Sequence, residues 1–131
     1  MKADKEKLWD IRKRSFEYAL RAIRVYQALQ RQREGAGWLL GKQFLRSATS
    51  VGANIAEAQS AESRADFVHK YGIAQKEAKE SLYWLRLLEE SGLVPNDRLV
   101  SIIGETEELI GVITAIVLKA KRMGHDKSAK T

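Results

Sequence analysis

Seven residues on one stretch restrict the fold more than any other feature of the chain. Phe67, Tyr71, Ala74, Ala78, Ser81, Leu85 and Leu88 recur in alternating steps of four and three. That spacing draws a seam along one side of a helix, of the kind that lies lengthwise against another helix. A strand would need an apolar residue at every second position, and no segment alternates in that way. Ile73, Trp84 and Leu87 stand off the seam and predict a second buried face. The helix is expected over about 64–91. At its start Ser63-Arg64-Ala65-Asp66 resembles a capping box with Asp in place of Glu, and Ser91-Gly92 closes it.

A seam of that length needs partners, and three further segments supply them. Over about 10–33, Phe16, Ala19, Leu20, Ile23 and Tyr26 form an apolar stripe that Ala22, Val25 and Leu29 widen; Gly35-Ala36-Gly37 then breaks the helix. Over about 38–59, Leu40, Phe44, Val51, Ile55 and Ala58 share one face. Gly41, Ala48, Gly52 and Ala56 make a second face, small enough for another helix to approach closely. Over about 97–122 a dense stripe of Leu99, Ile102, Ile103, Thr106, Leu109, Ile110, Ile113, Ile116, Val117 and Ala120 is opened by Pro95-Asn96-Asp97. Short connections force neighbours to run antiparallel. The expected fold is all-α, an up-down-up-down antiparallel four-helix bundle over 1–123. The remaining residues, 124–131, read as a disordered basic tail.

Composition removes several alternatives. One proline in 131 residues argues against a turn-dense β-sandwich, and the absence of cysteine excludes thiol catalysis and Cys-ligated zinc. It also fits a reducing compartment. The first ten residues, MKADKEKLWD, lack the apolar core of a signal peptide. The greasiest run, Leu109 to Leu118, spans ten residues, against about 20 needed to cross a bilayer. A cytoplasmic protein without a membrane segment is expected.

Charge is uneven along the chain. The formal net charge is +6, and residues 1–34, with ten Lys/Arg and five Asp/Glu, hold +5 of it. Arg12, Lys13 and Arg14 are consecutive, Arg21 and Arg24 follow at helical spacing, and Lys42 and Arg46 stand one turn apart on the second helix. These seven cations are the candidate nucleic-acid-binding set, because a basic patch attracts phosphate backbones. No recognition helix, RNP motif or zinc finger accompanies them, so binding to RNA or DNA would be backbone-directed and weakly sequence-selective.

Other polar features read as structural. Asn54 lies between apolar Val51 and Ile55, and with Glu57 it is expected in a polar network that fixes helix register, partnered by Glu77 and Glu80 of the third helix. Tyr83 and Trp84 read as anchors of packing or a subunit interface in preference to base-stacking platforms. Asp66-x-x-His69 is a single pair, and the other histidine, His125, falls in the tail; no metal site is expected. No catalytic residue set, phosphate-cradling glycine loop or cofactor motif is present.

Two stretches resemble a known family. KQFLRSATSVGANIAEA, residues 42–58, carries Gln43, Arg46, Ser47, Ser50, Ala53, Asn54, Ile55 and Glu57 in the pattern Q-x-L-R-S-x-x-S-I-x-A-N-I-x-E. DFVHKYGIAQKEAKESLYWLRLL, residues 66–88, carries Asp66, Phe67, Lys70, Lys76, Glu77, Ala78, Glu80, Tyr83, Trp84 and Leu85 in the pattern D-F-x-x-K…K-E-A-x-E-x-x-Y-W-L. Both are similar to the 23S rRNA-intervening-sequence proteins; Phe44 and Val51 are mild departures. The resemblance implies an up-down four-helix bundle, assembly into ring-shaped homopentamers, and a likeness in fold to the basic accessory protein of diversity-generating retroelements, which engages nucleic acid and a reverse transcriptase. A five-fold ring would raise the net charge to about +30.

The sequence thus predicts a non-enzymatic homopentamer that binds nucleic acid with low selectivity through the first helix and the start of the second. A nucleic-acid-processing protein partner is possible within that reading. The alternative is a protein–protein interaction scaffold or accessory subunit with no direct nucleic-acid contact.

Overall fold

The seam on the third helix is the spine of the fold: Tyr71, Ala74, Ala78, Ser81, Leu85 and Leu88 are all buried. A computed structural model describes the backbone of residues 2–31 and 35–129, and the side chains of 5–6, 8–31 and 35–124. Four helices make up the described chain: α1 (Lys2–Gln30), α2 (Ala36–Ala58), α3 (Arg64–Glu90) and α4 (Asn96–Ala129). Consecutive helices pack side by side and α1 meets α4, which closes the antiparallel bundle. The core is built from Ile11, Tyr18, Phe44, Val51, Ile55, Leu99, Ile102, Leu109 and Ile113 together with the α3 seam. No helix among the described residues is long and apolar enough to cross a membrane.

The ends of the helices follow local chemistry. Gly35, at φ 149°, separates α1 from α2 in a conformation that other residues avoid, while Gly37 lies inside α2. Ser63 caps α3 by accepting the backbone N–H of Asp66 at 3.0 Å. The return bond of the expected capping box is shifted by one residue: the Asp66 carboxylate accepts from the Glu62 N–H at 3.3 Å. Gly92, at φ 74°, turns the chain out of α3.

Three expectations are corrected. The buried stripe of α1 is Ile11, Ser15, Tyr18, Ala22 and Leu29; Phe16, Leu20 and Ile23 face outward. The Tyr18 hydroxyl favours this face, because its partner lies inside the bundle, Thr106 at 2.6 Å; Ser15 satisfies its own hydroxyl on the Arg12 carbonyl of the same helix at 3.1 Å and so is buried without an unpaired donor. The helix also begins earlier than expected, at Lys2, and ends at Gln30; its expected last residues, 32 and 33, lie with residue 34 outside the described residues. Finally, α4 continues through Gly124 to Ala129, where a disordered tail was expected; Lys130 and Thr131 lie outside the described residues.

The small face of α2 serves the protomer itself. A Cβ on Gly52 would stand 3.2 Å from the carbonyl oxygen of Ser15, and one on Gly41 would meet Leu29 at 2.9 Å. Ala48 is fully buried. These residues let α1 lie close against α2, and of the four only Ala56 is exposed.

Candidate interaction surface

The seven candidate cations separate into two groups. Arg14 crosses from α1 to α4, where its Nη2 lies 3.1 Å from Glu105 and 2.8 Å from Glu108. Partial burial opposes its charge, but the hydrogen bonds and attraction of the two carboxylates outweigh that and raise its pKa. Arg21 donates to the Ser101 hydroxyl of α4 at 2.9 Å. Arg46 bridges α2 to Glu80 and Glu77 of α3; the hydrogen bond to Glu80 is the main cause of its raised pKa. These three arginines hold helices together.

The other four keep their charge available. Lys13 and Arg24 are exposed and carry no ion pair among the described residues. Arg12 lies over the Trp9 ring at 5.0 Å, and Lys42 over the Trp38 ring at 3.5 Å.

Between α1 and α2 a groove of about 550 Å³ opens outward. Trp9, Arg12, Lys13 and Phe16 form its α1 side, and Gly52, Ala53 and Ala56 contribute from α2. Among the described residues, no Asp or Glu lines it. Trp9 is 63% and Phe16 66% exposed; farther along α1, Leu20 and Ile23 fall to 40% and 39%. Reading the sequence missed this face. Its signal was present, since α1 carries two apolar stripes and only one can point inward.

The expected polar network resolves into three separate contacts. The Asn54 amide donates within α2 to the Ser50 carbonyl at 2.9 Å. Glu57 accepts from Lys70 of α3 at 2.9 Å. Glu77 and Glu80 belong to the Arg46 bridge, and burial followed by the neighbouring Glu80 pushes the Glu77 carboxyl up. A hydroxyl layer that the sequence did not reveal links the helices in pairs. Ser47 of α2 meets Ser81 of α3 at 2.8 Å, alongside the Tyr18–Thr106 pair that joins α1 to α4.

Tyr83 and Trp84 also part company. Tyr83 is 57% exposed, whereas Trp84 packs on the core with its indole N–H buried and without a hydrogen-bond partner among the described residues. The two rings touch edge to face, 5.2 Å between centroids. His69 is exposed, and among the residues described no group of His, Asp or Glu could hold a metal ion.

Comparison with known proteins bears on these features. A crystal structure of a protein with unknown function from the S23 ribosomal protein family of Bacteroides thetaiotaomicron is 39% identical; the match covers 85% of this chain and 97% of that one, with a TM-score of 0.78. A search of the curated proteins gives no match. The family model of the 23S rRNA-intervening sequence protein matches residues 7–115. With motif, fold and a solved relative in agreement over most of its length, the chain belongs to the 23S rRNA-intervening sequence protein family.

Proposed function

We propose that this protein is a non-enzymatic, self-associating bundle of the cytoplasm that binds nucleic acid through phosphate contacts with low sequence selectivity. The observation that carries this reading is the placement of Arg12 and Lys13 in a groove that no carboxylate lines among the described residues. Arg24 and Lys42 extend the set along α1 and onto the start of α2. Arg14, Arg21 and Arg46 leave it, because their charges and donors are already used between helices. Assembly in five copies is what the family resemblance implies, and it would repeat the same patch around a common axis. Fluorescence anisotropy of labelled RNA and DNA at low ionic strength tests the reading, and absence of binding by either rejects it.

A second reading, a protein-interaction scaffold, is favoured by the outward-facing Leu20, Ile23 and Tyr83, which offer apolar contact outside the groove. Capture of one defined protein partner that survives nuclease treatment would select it over the first.

A further inference from the structure

We infer that the α1–α2 groove is a site for single-stranded nucleic acid, in which Trp9 and Phe16 stack unpaired bases while Arg12 and Lys13 hold the phosphates. The inference rests on the nucleic-acid reading above and narrows it to a substrate class and a set of residues. Two large rings stand outward on one helix face, more exposed than any other aromatic side chain described. They are seven residues apart, two helical turns or about 10 Å. Between them lie Arg12 and Lys13, and Arg12 is already held over the Trp9 ring. The small residues of α2 keep the opposite wall low, so a flat base can reach the rings.

Stacked rings and cations in one groove meet the two parts of a nucleotide: a base with two π faces and a phosphate with negative charge. A duplex hides its base faces in the stack, so aromatic platforms of this kind serve strands that are open. The main rival occupant is a second copy of the chain. An apolar neighbour would leave the Arg12 and Lys13 charges facing it without a carboxylate in the groove to answer them. The more aliphatic and less exposed part of the stripe, Leu20 and Ile23, lies outside the groove and suits that contact better.

The experiment compares one sequence as single-stranded RNA, single-stranded DNA and duplex DNA, titrated with the full chain and with Trp9→Ala, Phe16→Ala and Lys13→Glu. Each altered side chain is exposed, so folding is expected to persist; circular dichroism checks this. Single strands of either sugar should bind at least tenfold tighter than duplex. Trp9→Ala and Phe16→Ala should each weaken single-strand binding roughly five- to a hundredfold, the effect of losing one base–aromatic stack, with little change for duplex. Lys13→Glu should weaken all three ligands, and Trp9 fluorescence should be quenched by single strands. Equal affinity for duplex and single strand, or aromatic variants that bind like the parent, would overturn the inference and leave the broader reading standing. Loss of particle mass on Phe16→Ala with unchanged binding would instead make the groove a contact between copies. No binding by the parent chain would end both.

Discussion

Tyr18 shows how one buried hydroxyl can decide which face of a helix turns inward. Thr106 Oγ1 donates to the Ile102 carbonyl at 2.7 Å, so the Tyr18 hydroxyl is the donor in the 2.6 Å bond between them. Burial pushes the hydroxyls of Tyr18 and Tyr71 up to about 12, from an ordinary value of 10.0. Between those limits the folded chain keeps protons that the unfolded chain releases. The contribution is therefore complete below pH 10 and disappears as pH rises to 12. A shift of two units corresponds to about 2–3 kcal/mol for each tyrosine. Urea midpoints should accordingly hold steady from pH 7 to 9 and fall steeply from 10 to 12. Tyr18→Phe should lose about 0.5–1.5 kcal/mol at pH 7, since Thr106 keeps its backbone partner. The variant should also lose less than the parent across the alkaline window. An equally steep alkaline loss in parent and variant would mean that Tyr18 does not ionise with that penalty.

Helices differ in how much of their placement can be read from spacing. On α3 six of the seven seam positions are buried and Phe67 is partly so, whereas Leu87, expected on a second buried face, is exposed. On α1 the more apolar stripe is the outer one. Ser15 and Tyr18 score poorly by hydrophobicity, yet both are buried: Tyr18 finds its partner on α4, and Ser15 meets the hydrogen-bonding need of its hydroxyl within α1. The same limit applies to the candidate site. The carboxylates that engage Arg14 lie 91 and 94 residues away and those that engage Arg46 lie 31 and 34 away, so helical spacing alone could not divide anchored from available cations. Glycines separate in a related way. Gly104 and Gly111 have open space where a Cβ would be, whereas Gly52 faces the Ser15 backbone. Gly104→Ala and Gly111→Ala should each stabilise the fold by about 0.5–1 kcal/mol through helix propensity. Gly52→Val should cost about 1–3 kcal/mol by pushing α1 away from α2. Denaturant midpoints of the three variants check the contrast, and a stabilising Gly52→Val would remove the close approach from the account.

At the scale of the whole molecule, net charge attracts phosphate only through those cations that are not already spent. Arg14 and Lys13 are adjacent in sequence, and the difference between them makes this measurable. Counterion release makes the affinity for single strands fall with salt, with a logarithmic slope of about −0.7 for each phosphate neutralised. Four available cations on one protomer, Arg12, Lys13, Arg24 and Lys42, would give a slope of about −3 if all engage one strand. Lys13→Gln should make that slope shallower by about 0.7 and leave the denaturant midpoint within about 0.5 kcal/mol of the parent. Arg14→Gln removes the same unit of charge from the next residue but should leave the slope unchanged. Its effect should be on stability, because Glu105 and Glu108 lose the cation between them and the contact between α1 and α4 loses its bridge. With one end of that bridge well exposed, the loss should be about 1 kcal/mol and should shrink in high salt. If the two variants change the slope equally, total charge governs binding, and the division between anchored and available cations has no functional meaning.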